Sequence, residues 1–197
     1  MSDAAIPPAD NFRYDRFTIL LHWLTAALVV LMWGVAQVID LFPRDGGRVE
    51  VRSVHILLGV TLLLVVLVRL AWRKTSWGGR QPPRQGVGDL AARGVQVALV
   101  LLVLATIALG LLNVAVRGDA IFSWVKVPAL SPGYPGLRDS IGELHEWGAN
   151  LILALAGLHA AAGLAHHFVL HDRVLRRIMP CRNATCARHE HAHARGG

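Results

Sequence analysis

A chain of 197 residues that is 54% hydrophobic and only 17% charged, with a positive mean hydropathy, does not have the composition of a soluble domain. Its apolar residues come in long blocks rather than in the spaced stripes of amphipathic helices, which marks an integral membrane protein. The formal charge of +7 would by itself suit nucleic acid, anionic lipid or a topology bias, and its distribution along the chain selects the last.

The first 16 residues are polar and carry both charge signs. They run into an apolar stretch too long for a signal-peptide core and without a small-residue cleavage site, so no cleaved signal is expected. Four stretches can each cross a hydrocarbon core, which takes about 20 residues at about 1.5 Å rise. They are 17–39, 53–72, 94–116 and 141–170. The first and third carry no formal charge, whereas the second includes Arg69 near its end and the fourth begins with Glu143 and Glu146. The connections contain FPRDGG, GGRQPPRQG and PALSPGYPG, all rich in turn-forming Gly and Pro. No internal repeat or second folded domain is visible. The expected fold is an all-α membrane protein, a four-transmembrane-helix bundle spanning 17–171, with a flexible tail over 172–197.

Four crossings put both termini on one side. That side holds 14 of the Lys and Arg residues and the other side 6, so the rule that cationic loops stay inside predicts both termini to be cytoplasmic. Trp23, Trp72 and Trp77 fall near the terminal side, and Trp124 and Trp147 near the other, as amphipathic rings prefer. The positive charge therefore reports membrane topology, with lipid and not nucleic acid as the surrounding partner.

Histidine in hydrocarbon is costly and needs a partner or a purpose. His22 lies about five residues inside the terminal side on the first span, and His55 two to three residues inside the opposite side on the second. On the fourth span His145 enters near the same side as His55. His159 follows 14 residues later, about 21 Å along the axis and close to the same face. Depth alone therefore pairs His22 with His159 and His55 with His145. A separation of about 21 Å excludes one shared zinc or copper site, while two haems, each clamped between two imidazoles, fit. Gly59, Ala149 and Gly163, one turn from these histidines, would leave room for a flat macrocycle. Iron with both axial positions filled has no open site for oxygen, so electron transfer is the expected role. The competing reading is that the four histidines make interhelical hydrogen bonds.

His166, seven residues beyond His159 and about 10 Å nearer the terminal side, is a candidate to bond a quinone carbonyl and relay a proton. It could equally be a polar helix end meeting water. His167, rotated away by about 100°, ranks lower. The tail residues Cys181, Cys186, His189, His191 and His193 fit no closed zinc spacing, and no C-x-x-C-H site for covalent haem exists. The sequon at Asn183 falls on the cytoplasmic side, where glycosylation is not expected. There is no phosphate-binding Gly loop, H-E-x-x-H helix or G-x-S-x-G elbow to support ATP-driven or hydrolytic chemistry.

RYDRFTILLHWL, VRSVHILLGVTLLLVVLVRLAWR and above all HEWGANLILALAGLHAAAGLAHHFVLHDRVLRRIMP resemble the first, second and fourth helices of the bacterial cytochrome b561 family, which includes superoxide oxidases. The likeness spans about Arg13 to Pro180; the third helix matches mainly in hydrophobicity and in the VRGDAIFSW stretch after it, and the Cys- and His-rich tail departs from the pattern. The resemblance implies two non-covalent haem b groups, the inner on His22 and His159 and the outer on His55 and His145. It also implies electron flow from periplasmic superoxide to ubiquinone near the cytoplasm, which makes His166 a candidate quinone ligand. Arg69 would meet a haem propionate or the quinone region, or simply snorkel to the headgroups. An anionic substrate favours a basic entrance, yet the periplasmic side totals 6 cations against 7 acids. Arg44, Arg48, Arg52, Arg117 and Lys126 are the candidates for a local patch there. The expected protein is a monomeric or weakly oligomeric superoxide:ubiquinone oxidoreductase of the inner membrane. Two alternatives stand beside it. One is a cytochrome b subunit fed by a hydrogenase or dehydrogenase partner protein, and the other a haem-free membrane transporter or anchor.

Overall fold

The structure is a computed structural model that describes residues 13–43, 46–75, 87–130, 135–171 and 174–179. Arg44, Trp77, Asn183 and the Cys- and His-rich tail lie outside the described residues. Four helices dominate: α1 (Arg16–Val38), α2 (Gly46–Lys74), α3 (Val87–Arg117) and α4 (Pro135–Phe168). All four are long and apolar enough to cross a membrane. Within their apolar windows only 6% to 17% of residues are buried inside the chain, so lipid must cover most of the helix surface.

Each helix begins and ends for local reasons. Asp15 caps α1 by accepting from the Thr18 N–H at 2.8 Å and from the Thr18 hydroxyl at 2.5 Å. Arg73 and Lys74 close α2, and Arg117 closes α3, where cations meet the negative end of the helix dipole. α4 opens on Pro135, a first-turn position where the missing N–H leaves no bond unmade. α2, α3 and α4 each start six or seven residues before the expected 53, 94 and 141. The expected limits coincide with the first charged residues. Arg52, Arg93 and Asp139 end the apolar blocks, but backbone hydrogen bonding carries the helices through them into the interface.

The helices pack as two hairpins. α3 lies most extensively against α4 and α1 against α2, whereas α2 with α3 and α1 with α4 meet along narrower seams. A small core of Leu28, Leu62, Val66, Val103, Ile107 and Ile152 draws on all four helices at mid-depth. Trp33 donates to Asn150 at 3.0 Å across the α1–α4 seam.

The two ends of the bundle are closed differently. At the terminal end, a 3₁₀ turn over Leu175–Arg177 docks against the start of α1. The Tyr14 N–H donates to the Arg177 carbonyl, Arg13 to that of Met179, and the Trp23 indole to that of Ile178 at 3.0 Å. The Trp72 indole donates to Asp15 at 3.2 Å nearby. At the opposite end α3 stops at Gly118, whose φ of +73° suits glycine, and where a Cβ would stand 2.8 Å from the Ala129 backbone. A two-stranded hairpin follows, β1 (Ala120–Ile121) with β2 (Val125–Lys126), turning through Phe122 and Ser123, both at positive φ. Trp124 stands 91% exposed on this hairpin and Trp147 75% exposed on α4, so indoles mark this end as well.

Fully buried Ser53 of α2 anchors the hairpin. Its hydroxyl accepts from the Phe122 N–H at 2.8 Å and donates to the Val49 carbonyl at 2.7 Å. Replacing Ser53 by Ala leaves that N–H unpaired and is expected to cost about 1–2 kcal/mol. Thermal unfolding in detergent checks this through a lowered midpoint; an unchanged midpoint would contradict the anchoring role.

Candidate functional site

The histidines paired by depth come together from different hairpins. His22 and His55 belong to the α1–α2 hairpin, and His145 and His159 to α4 of the other. At the hairpin-capped end the His55 and His145 rings lie 6.1 Å apart, centre to centre, with planes at 78°. Two metal–nitrogen bonds of about 2 Å, with about 1 Å from each nitrogen to its ring centre, require roughly the same spacing. His145 Nδ1 lies 2.9 Å from the Thr106 carbonyl, which as an acceptor puts the proton on Nδ1 and leaves Nε2 with its lone pair. His55 Nδ1 is buried and makes no hydrogen bond, although the ring lies close to the Met32 backbone. A pair of half-buried imidazoles at this spacing, one with a fixed tautomer, fits a six-coordinate haem iron.

At the terminal end His22 and His159 lie within electrostatic reach of each other, and Arg69 of both. Arg69 Nη2 stands 3.5 Å from His22 Nδ1, at the limit of a hydrogen bond, and the contact assigns no proton to either ring nitrogen. The half-buried guanidinium thus turns toward the histidines rather than only toward headgroups. Trp23 packs edge-on against His22, with centroids 5.6 Å apart, while its indole holds the Ile178 carbonyl. Among the described residues no three His, Cys, Asp or Glu side chains gather as a metal site, so the donor sets are pairs and not a closed zinc shell.

The remaining candidates separate clearly. Arg52 and Arg117 converge on one oxygen of Asp119, at 3.1 and 3.7 Å. Arg52 stands one turn before His55 on α2. Arg48 is held elsewhere, paired with Asp40 at 3.1 Å and bonded to the Asp40 and Phe42 carbonyls. Lys126 lies exposed on β2. His166 is half-buried in the last turn of α4, and neighbouring His167 stacks edge-on with Phe168.

Sequence reasoning missed what α3 contributes. Of the glycines expected to leave room for a macrocycle, Gly59 meets the Met32 side chain at 3.4 Å, and no group lies within 4 Å of where a Cβ on Gly163 would stand. Gly110 and Gly148 are instead the positions where α3 and α4 interlock around His145. The only signal was a lone glycine inside an apolar run, which membrane helices commonly contain.

Residues 13–180 match the family described as prokaryotic cytochrome b561. The chain belongs to that family. It is 30% identical over 171 residues to cytochrome b561 homolog 2 of Escherichia coli K12, covering 85% of this chain and 91% of the relative. It is 31% identical over 173 residues to cytochrome b562 of Cereibacter sphaeroides, covering 84% and 94%. It is also 28% identical over 174 residues to a probable superoxide oxidase CybB of Yersinia pestis, covering 85% and 96%. Family membership makes this a multi-pass inner-membrane protein of transmembrane electron transfer, and it carries haem b binding with it, against the haem-free alternative.

With no C-x-x-C-H in the sequence, the haem is expected to leave the protein completely on extraction with acidified acetone. Absorbance of the extracted and residual fractions checks this, and haem retained on the polypeptide would contradict it.

Proposed function

We propose that the chain carries single electrons across the membrane by way of two haem b groups. It takes them from superoxide at the hairpin-capped end and delivers them to ubiquinone at the terminal end. The observation that carries this reading is the arrangement of four histidines as two cross-seam pairs, one at each end of a single bundle. In it His55 and His145 would hold the outer haem, and His22 and His159 the inner. Bound in this way, haem iron supplies one-electron exchange without an open position for oxygen. The cationic excess on the terminal side supports a cytoplasmic location for that end.

Around these pairs the chain's own residues have separate tasks. Arg52 and Arg117 set two guanidiniums against the one carboxylate of Asp119, leaving local positive charge one turn from His55. Exposed Lys126 adds to it. That patch favours the approach of a small anion, although the whole side carries no net positive charge. Two superoxide anions each lose one electron and become dioxygen; one quinone gains both electrons together with two protons. At the terminal end Arg69 balances the negative charge of a haem propionate. His166, two turns beyond His159, bonds the quinone and passes it a proton. The name of the Yersinia relative supports superoxide as the donor.

Mixing the oxidised protein rapidly with superoxide tests the donor. Reduced b-type bands are expected to appear at once and to be abolished by superoxide dismutase. Bands that respond to dithionite but not to superoxide would overturn this donor in favour of a hydrogenase or dehydrogenase partner protein. Replacing His166 by Ala is expected to leave the haem spectra intact and to slow quinone reduction by about tenfold or more. Unchanged quinone kinetics would remove His166 from the site.

A further inference from the structure

α3 contributes no histidine to either pair, yet it makes the closest contacts to one of them. Beside Gly110 lies the ring of His145. An alanine Cβ there would stand 2.8 Å from His145 Cε1 and 3.2 Å from Nδ1, the first closer than real Cβ contacts come. One turn earlier on the same helix, the Thr106 carbonyl accepts the Nδ1–H bond at 2.9 Å. The fit is reciprocal, because a Cβ on Gly148 of α4 would stand 2.5 Å from Thr106 Oγ1. Two helices interlock here, with a glycine on each admitting a side chain from the other. His55 is supported differently: its buried Nδ1 makes no hydrogen bond, and the polar group beside its ring is the Met32 backbone of α1.

We propose that Gly110 and the Thr106 carbonyl are the positioning elements for His145. The glycine notch seats the ring, and the carbonyl fixes its tautomer so that Nε2 is the nitrogen presented across the seam. This rests on the reading of His145 and His55 as the two ligands of the outer haem. The bond at Nδ1 increases the electron density that Nε2 would offer an iron, and a stronger donor favours the ferric state. α3 thereby holds the potential of the outer haem below the value that two unsupported imidazoles would give. A helix that touches no iron sets how readily that haem passes on the electron it receives.

The test compares wild-type holoprotein with Gly110→Ala, Gly94→Ala and His145→Ala. Each is assayed for haem per chain, for midpoint potentials by redox titration, and for the low-spin ferric signals by electron paramagnetic resonance. Gly94 lies on the same helix with no group within 4 Å of its Cβ position, so its alanine variant is expected to match wild type. Gly110→Ala pushes the ring off the Thr106 carbonyl. It is expected to raise the potential and shift the largest g value of one haem, while the other stays unchanged. His145→Ala is expected to lose one haem per chain. If His145→Ala keeps both haems, the ligand reading fails and the positioning role falls with it. If His145→Ala loses one haem but Gly110→Ala matches wild type in potential and signal, the positioning role alone is overturned. Should Gly110→Ala not fold, reduced wild-type protein labelled with ¹⁵N-histidine decides. The His145 Nδ1 proton is expected downfield of the His55 Nδ1 proton, and coincident shifts would overturn the proposal.

Discussion

An imidazole in hydrocarbon has nothing to bond unless the chain brings it a partner, and this constraint organises the bundle. Four histidines enter the membrane on α1, α2 and α4, and each lies near another from the other hairpin. The seams themselves follow from packing. α1 with α2 and α3 with α4 pack as close hairpins, while the hairpins meet one another through a modest mid-depth core.

The division of labour among the helices follows from the same geometry. α1 and α2 each give one histidine at opposite depths, and α4, crossing the full thickness, gives one to each pair. α3 gives none and serves as the wall against which α4 is set, through Thr106 and Gly110. Beyond the membrane, Ser53 ties the β hairpin to α2, and Asp119 in that hairpin gathers Arg52 and Arg117. Fold and charge at this end thus hang on a few buried polar atoms. At the other end the carbonyls of Arg177, Ile178 and Met179 are held by Tyr14, Trp23 and Arg13, so the chain's exit from the bundle is fixed beside the start of α1.

Much of this was legible in the sequence because membrane proteins obey few and strong rules. Apolar stretches of about 20 residues located the spans, and a rise of about 1.5 Å per residue turned the numbers 22, 55, 145 and 159 into depths. Residue counting could not see what depends on helix rotation. That Arg52 and Arg117 share Asp119 while Arg48 is taken by Asp40 depends on which way each helix faces. The same holds for Gly110 against His145, which joins residues 35 positions apart by a contact with no periodic signature. The helix starts were placed late because hydropathy reports the edge of the lipid, whereas hydrogen bonding decides the end of a helix.

The central claim is that four histidines hold two haems as two independent pairs. Haem per chain, measured by the pyridine haemochrome method on purified protein, tests it most directly across His22→Ala, His55→Ala and the double variant His55→Ala/His145→Ala. The account predicts two haems in the wild type and one in each variant, with His55→Ala and the double variant retaining the same haem by spectrum and potential. A double variant that loses both haems, or a wild type that holds one, would contradict it.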